Sequence, residues 1–303
     1  MADCLVETVS EYLDHVFQRD LDEFYHEIAD RRVLFRGQTN IDWKLAPSVF
    51  RSDEDFLNEH FFIREFERRL PNRCAGKTAM EILLDAQHYG LPTRLLDVTL
   101  NPLVALYFAC SGCGEGGLAD GVVYQFSPSS VFMQDDLTCS IIAEHVRRYK
   151  SGQNMPAKWR DEIAAKVAHS DFRFSGDSPR AIRYFLSGEQ MCIPLLPKYT
   201  NERIFNQEGA FLMYSTPFVM HENTESCVGR FMLPSEVTDN LGLNIETRYI
   251  VPAEKKGLIR SQLDRIGFNE SRLFPDVEHN AKAIVESVRR TYQGDKPKTT
   301  ADA

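Results

Sequence analysis

The chain combines stretches in which apolar residues recur every three or four positions with short, almost continuous apolar runs. The first pattern predicts amphipathic helices and the second predicts buried strands. Helices are predicted at residues 5–29, 53–70, 78–89, 103–110 and 253–266. Strands are predicted at residues 32–36, 93–98, 121–126, 192–195, 209–214, 229–233 and 247–251. Because the two kinds of element do not alternate regularly, the pattern favours an α+β fold.

Two regions lie outside this core pattern. Residues 129–190 are predicted to form a helical insertion, with amphipathic pieces at 140–149, 158–168 and 179–186 and a mobile loop at 171–179. A last helix is predicted at 276–291, followed by a disordered tail. With no repeat and no dividing linker, we expect a helical segment at 1–30, one domain at 31–286, and a helix end plus tail at 287–303.

Composition and charge restrict the class of protein. The 303 residues carry a formal net charge of −9, which argues against coating nucleic acid by bulk electrostatics but leaves a local basic cleft open. No apolar run approaches the roughly 20 residues of a membrane span, and the N-terminus is acidic, so we expect a cytoplasmic protein without membrane contact. Cys110 and Cys113 form a C-x-x-C without a second pair, which favours small residues at a helix end over a metal site.

The segment AQHYGLPTRLLDVTLNPLVALYFAC, residues 86–110, concentrates polar groups at a helix end and on the next strand. In a regular strand Asp97 faces the side opposite to Arg94, so each charge needs a partner elsewhere. Arg36, His88 or the cap of the helix beginning at Asn101 could partner Asp97. The segment is therefore either a polar network that locks a turn or part of a ligand site.

The stretch LFRGQ, residues 34–38, places an arginine at the end of a predicted buried strand. Arg36 either closes an internal ion pair, with Asp97 or Glu208, or faces an anion from outside. Trp43, in the loop that follows, could cover a bound ligand.

Four motifs resemble the bacterial FRG domain family. They are FRG (35–37), QHYGLPTRLLDVTLNPLVALYFA (87–109), NERIFNQEGAF (201–211) and RLFPD (272–276). The resemblance runs over about residues 31–286, so the predicted domain is identified as an FRG domain with the insertion inside it. The family name alone supplies little mechanism.

The same motifs also resemble the Arg-Ser-Glu type of ADP-ribosyltransferase. LFRG resembles the first motif of that family, RLLDVT before a helix the second, and NQEGAFL the third. This resemblance implies a split β-sheet core surrounded by helices, with NAD as substrate and no metal. The family's catalytic glutamate falls at Gly209 here, so a bulge at Gly209 must bring Glu208 into place, or Asp97 or Glu202 supplies the charge.

The resemblance implies a role for each candidate residue. The Arg36 guanidinium can grip a pyrophosphate in a bidentate manner, and Gly37 leaves room for close approach. Tyr89 can stack on nicotinamide or adenine, and Gln87 and Thr93 can bond to the carboxamide or ribose hydroxyls. The predicted cofactor-binding residues are Arg36, Gly37, Gln38, Gln87, Tyr89, Thr93, Arg94 and Gln207.

Three residues are predicted to be catalytic: Glu208, His88 and Asp97. A carboxylate stabilises the oxocarbenium-like ribose, and His88 can act as a general base. Structural roles remain open for several candidates: Tyr89 as a core aromatic, His88 as a helix-end histidine, and Arg94 as an anchor for the Gln207–Glu208 strand.

The leading functional prediction is a mono-ADP-ribosyltransferase that modifies nucleic acid or protein as an intracellular toxin or phage-defence effector. An antitoxin or immunity protein is then an expected partner. One alternative is a non-catalytic nucleotide-sensing or protein-binding module of the same fold. Another is a hydrolase that uses His88 and Asp97 on a phosphodiester.

Overall fold

The centre of the protein is a mixed eight-stranded sheet. The computed structural model describes residues 2–23, 33–112, 119–128, 131–156, 162, 165, 191–216, 218–220, 227–237 and 245–275. The strands are β1 (Ala2–Leu5), β2 (Leu34–Gln38), β3 (Leu95–Thr99), β4 (Gly121–Phe126), β5 (Phe132–Met133), β6 (Met155–Pro156), β7 (Met191–Leu196), β8 (Gly209–Ser215), β9 (Phe218–Met220), β10 (Cys227–Phe231) and β11 (Ile245–Val251). The large sheet has the order β1-β11-β4-β2-β3-β8-β7-β5, and β6, β10 and β9 form a small second sheet.

Helices cover both faces of the large sheet. They are α1 (Val9–Glu23), α2 (Asp53–Arg69), α3 (Pro71–Cys74), α4 (Ala79–His88), α5 (Pro102–Ala109), α6 (Leu137–Arg148), α7 (Glu202–Asn206), α8 (Lys256–Arg265) and α9 (Glu270–Leu273). One apolar cluster holds the inward faces of α2, α4 and α6, and a second holds those of α1, α5 and α8. No helix in the part of the chain that the structure describes is long and apolar enough to cross a bilayer.

Strand periodicity assigns neighbouring residues to opposite faces of the sheet. In β4, Val122 and Tyr124 join the α2–α4–α6 cluster while Val123 joins the α1–α5–α8 cluster. Leu34 and Phe35 of β2 divide in the same way. A strand that is buried on both faces needs apolar residues at successive positions, which explains the continuous run GVVYQF.

The sheet is almost divided between β2 and β3. β2 makes five register pairs with β4, and β3 makes five with β8, but β2 and β3 share the single pair Phe35–Thr99. The strands therefore separate beyond that pair. The sheet consists of two four-stranded halves that are joined at one point.

Helix α5 packs closely on the α1 side of the sheet because two glycines leave space for it. Asn101 caps the helix, its Oδ1 accepting from the backbone N–H of Leu103 (3.0 Å) and Val104 (3.3 Å). A Cβ on Gly37 would lie 1.8 Å from the Ala105 carbonyl oxygen, and one on Gly121 would lie 2.4 Å from that of Ala109. Gly37 is thus required for helix packing, a role that the sequence did not predict.

Most of the predicted helices and strands lie within a few residues of the observed ones, and the α+β class is confirmed. The exception is the start of the chain, where a single helix was predicted from residue 5. Residues 2–5 instead form edge strand β1, which pairs in parallel with β11, and the helix begins at Val9. The helices predicted at 158–168, 179–186 and 276–291, the loop at 171–179 and the tail at 287–303 lie outside the described residues, apart from positions 162 and 165.

Candidate functional site

A cleft of about 640 Å³ opens where β2 and β3 separate. Its floor comes from the facing edges of these strands, and its walls come from the end of α4, from α5 and from α7. The lining residues are Phe35, Arg36, Gly37, Gln87, His88, Tyr89, Gly90, Asp97, Val98, Thr99, Phe108, Arg203, Ile204, Gln207, Gly209, Ala210 and Phe211. The separation of the strands thus brings together five of the predicted cofactor-binding residues and two of the predicted catalytic ones.

Arg36 spans the gap between the two halves of the sheet. Its Nη1 donates to the backbone carbonyl of Asp97 over 2.5 Å, and its buried Nε has no hydrogen-bond partner. Among the described residues no carboxylate forms an ion pair with it. Burial lowers the pKa of Arg36, and nearby Arg51 acts in the same direction, while the charge of Asp97 raises it. The internal ion pair with Asp97 or Glu208 that the sequence allowed is thus absent from the described part of the chain. The Arg36 guanidinium keeps unused hydrogen-bond donors beside the cleft.

Asp97 is held by a short hydrogen-bonded chain that starts in the interior. The hydroxyl of Thr93, which is fully buried, donates to Gln87 Oε1 over 2.5 Å, and Gln87 Nε2 donates to Asp97 Oδ2 over 2.9 Å. Thr93 is not among the lining residues, so it orients Gln87 and does not reach the cleft itself. Asp97 is exposed although it lies in the middle of a central strand. A carboxylate is therefore presented to the cleft with one oxygen fixed.

The end of α4 supplies the aromatic wall. The helix starts with a capping box, in which Thr78 Oγ1 accepts from Glu81 N (3.2 Å) and Glu81 Oε2 accepts from Thr78 N (2.8 Å), and it ends at His88. Tyr89 follows and is 50% exposed. The guanidinium of Arg73 lies 4.4 Å from the Tyr89 ring centroid, which leaves the Tyr89 ring anchored at the rim of the cleft and not in the core.

Helix α7 carries the opposite wall. Gln207 Nε2 donates to the Leu273 carbonyl over 2.9 Å, so this predicted cofactor-binding side chain is tied to α9. Arg203 lies with its guanidinium 4.9 Å from the Phe274 ring centroid and has no ion pair with any described carboxylate. Arg203 is not among the site residues predicted from the sequence, and the fold places it in the cleft as a second cation beside Arg36.

Glu208, the predicted catalytic carboxylate, is not among the lining residues. It has a positive φ of 44°, unusual for a residue other than glycine, in the turn before β8. Its Oε1 accepts from Asn101 Nδ2 over 2.8 Å, and its backbone carbonyl accepts from Leu100 N. The turn thus directs the Glu208 side chain to the cap of α5, and Asp97 is the carboxylate that lines the cleft.

Arg94, a predicted cofactor-binding residue, is not among the described residues that line the cleft. Its side chain is 3% exposed and pairs with Glu59 of α2, with Nη2 2.6 Å from Glu59 Oε2. The backbone N–H of Arg94 also donates to Glu59, and Nη1 donates to the Tyr214 carbonyl of β8. Strand alternation turns Arg94 away from Asp97 and into the α2–α4–α6 core, so it does not line the cleft, and the structural alternative of a strand anchor is the one observed.

A second pocket of about 420 Å³ adjoins the cleft and shares Arg36, Gly37 and Phe108 with it. Gln38, which was predicted to bind the cofactor, lines this second pocket and not the cleft. Trp43, at 57% exposure, stands at its edge. The site is therefore larger than the predicted set of residues, and it extends along the loop after β2.

Comparison with known families supports one part of the sequence interpretation. Residues 31–115 match the model of the FRG domain family, whereas neither the curated proteins nor the solved structures contain a significant match. The matched segment contains β2, β3 and α2–α5, which supply Arg36 and residues 87–99 of the cleft. The sheet is completed by strands outside the segment, and the extension of the domain to residue 286 stays a prediction. The chain thus carries an FRG domain sequence at residues 31–115, as its motifs predict.

Proposed function

We propose that the cleft binds NAD and that the protein transfers ADP-ribose from it to a macromolecule. The observation that carries the proposal is Arg36, a guanidinium without a carboxylate partner among the described residues, at the one-point junction of two half-sheets. A split sheet is what the resemblance to ADP-ribosyltransferases implies. The cleft volume of about 640 Å³ is within the range of small-molecule and cofactor sites.

The charges in the cleft suit a dinucleotide. A pyrophosphate carries two negative charges, and Arg36 and Arg203 offer two cations from opposite walls. Tyr89 is half-exposed at the rim of the cleft with Arg73 over its ring, and its exposed part can pack against nicotinamide or adenine. Asp97 is the single acidic residue among the described residues of the lining, and in this proposal it meets the part of the ligand that becomes cationic.

The proposed reaction follows from these positions. The bond between nicotinamide N1 and ribose C1′ breaks, and its electron pair leaves with neutral nicotinamide. The Asp97 carboxylate stabilises the positive charge that develops on the ribose. An oxygen or nitrogen of the acceptor then bonds to C1′, and its proton passes to a base, for which His88 is the candidate in the lining.

Labelled NAD tests the proposal. The purified protein is incubated with NAD and cell extract, and free nicotinamide and label on macromolecules are measured. Asp97→Asn keeps the side-chain size and the bond from Gln87 but removes the charge, so nicotinamide release should fall roughly 100- to 1,000-fold. Arg64→Ala, on the exposed face of α2 and outside the cleft lining, serves as the control with unchanged release. Equal rates for wild type and Asp97→Asn would refute the assigned role.

A non-catalytic nucleotide-binding module is the second candidate. The placement of Glu208 favours it, because the carboxylate expected from the transferase resemblance is bonded to Asn101. This candidate predicts that NAD binds without release of nicotinamide in any extract. A role as a toxin or phage-defence effector, with an antitoxin as partner, remains a proposal that rests on association with the family.

A further inference from the structure

The second pocket shares Arg36 with the cleft, and its charged residues in the described lining are all basic. Lys44 and Arg51 line it together with Arg36, and no carboxylate is among its described lining residues. Arg260 lies at its edge, with Nη1 3.3 Å from the hydroxyl of Ser111. The positive charge of this pocket contrasts with the net charge of −9 of the whole chain.

Within the described part of the chain, no carboxylate neutralises Lys44 or Arg51 of this pocket. Neither Lys44 nor Arg51 has an ion pair with a described carboxylate, and both side chains are exposed. The positive charge of Arg51 contributes to the lowered pKa of Arg36. Like charges held close together without a partner favour an external anion.

An aromatic platform stands beside the cations. Trp43 is 57% exposed, but its backbone is fixed: its N–H donates to the Asn40 carbonyl over 3.2 Å, and the Asn40 side chain accepts from Asp42 N over 2.8 Å. Ile41 N further donates to the Asp120 carbonyl, and the buried Lys256 ammonium donates to the Thr39 carbonyl over 2.6 Å. An indole ring that is exposed on an anchored loop is available for stacking at little entropic cost.

We propose that this basic pocket binds single-stranded nucleic acid, with one or two phosphates at Lys44 and Arg51 and a base stacked on Trp43. An aromatic platform beside a positive groove is the combination that binds single strands with little sequence preference. A protein acceptor would not require a stacking ring beside three cations. As an acceptor site the proposal rests on the proposed function, since Arg36 belongs to both pockets and would place a bound base near the NAD ribose.

Binding of labelled oligonucleotides in the absence of NAD provides the test. Fluorescence anisotropy is measured with single-stranded DNA and single-stranded RNA of the same mixed sequence, and with the corresponding duplex. We expect at least one single strand to bind more tightly than the duplex, with a plot of log K against log salt of slope about −0.7 to −1.4, as for one or two phosphates. Trp43→Ala should weaken binding roughly 10-fold, and Trp43→Phe, which retains a ring, should weaken it less.

A matched pair of double variants tests the charges. Lys44→Ala/Arg51→Ala removes two positive charges from the pocket, and Arg64→Ala/Arg265→Ala removes two exposed arginines that do not line it. The first should reduce affinity at least 10-fold and the second less than 2-fold. Equal losses in the two double variants, or a duplex bound as tightly as the single strands, would overturn the proposal.

The outcomes separate this inference from the proposed function. If nicotinamide is released and the label appears on protein while no oligonucleotide binds, the transferase proposal stands and the nucleic-acid site is refuted. If oligonucleotides bind through Trp43 but NAD does not bind, the basic pocket is supported and the transferase proposal fails.

Discussion

Arg36 and Arg94 were both predicted from the sequence to bind NAD, but in the structure Arg36 lines the cleft and Arg94 is buried beside Glu59. Removing the guanidinium of Arg94 tests whether its role is structural. Arg94→Met keeps a long side chain in the core but removes the guanidinium. Glu59 then stays behind with a side chain that is 0% exposed and has lost its partner. The backbone N–H of Arg94 alone continues to donate to it.

The expected loss of stability is large because the pair is fully enclosed. Removing one member of a buried ion pair costs about 3–5 kcal/mol, since the remaining charge keeps its desolvation penalty. The Nε of Arg94 bonds to both oxygens of Glu59, so no water-exposed oxygen reduces that penalty. For a protein of this size the midpoint of thermal unfolding should fall by roughly 5–15 °C.

Thermal and urea unfolding measure the loss, and NAD binding is measured on the same preparation below the unfolding transition. The double variant Glu59→Leu/Arg94→Met removes both charges and should recover much of the stability. A loss below about 1 kcal/mol would refute the buried-pair argument. Normal stability with lost NAD binding would show that Arg94 contacts the ligand after all.

Two further variants test the packing and the pH dependence. Gly37→Ala places a Cβ 1.8 Å from the Ala105 carbonyl oxygen, and the overpacking should cost about 1–3 kcal/mol or more in urea unfolding, whereas Gly257→Ala, with no atom within 4 Å of its Cβ, should not destabilise. Burial lowers the pKa of His145 to about 3, so the unfolded chain binds a proton near pH 6.5 that the folded chain does not. The free energy of unfolding is therefore highest above pH 6.5 and decreases as the pH falls towards 3. Between neutral pH and pH 5, it should decrease by about 2 kcal/mol more in the wild type than in His145→Phe. Parallel pH profiles of the two proteins would contradict this assignment.

The local pattern was enough to predict much of the fold. The cap at Asn101 and the continuous apolar run 121–126 depend only on neighbouring residues, and each is observed where it was predicted. The clustering of residues 87–89 with Arg36 and Asp97 was predicted from motifs and is observed in the cleft.

Features that depend on distant contacts were not accessible in the same way. β1 is a strand because β11 pairs with it, and nothing in residues 2–5 themselves indicates that pairing. The side chains of Arg94 and Glu208 are held away from the cleft by hydrogen bonds to Glu59 and Asn101. These partners lie 35 and 107 positions away along the chain. The basic pocket arises because Lys44 and Arg51 lie beside Arg36 in the fold. The spacing of these residues in the sequence did not predict that they would line one pocket.

Direct titration of NAD into the wild type and into Arg36 variants tests the central claim. We predict saturable binding by the wild type and a roughly 10- to 100-fold weaker affinity for Arg36→Ala, the loss expected for charge-assisted hydrogen bonds. Arg36→Lys, which keeps the charge without the planar fork, should fall between the two, and Arg64→Ala should match the wild type. No binding of NAD by the wild type, or the same affinity for Arg36→Ala, would contradict the assignment of this cleft to a dinucleotide.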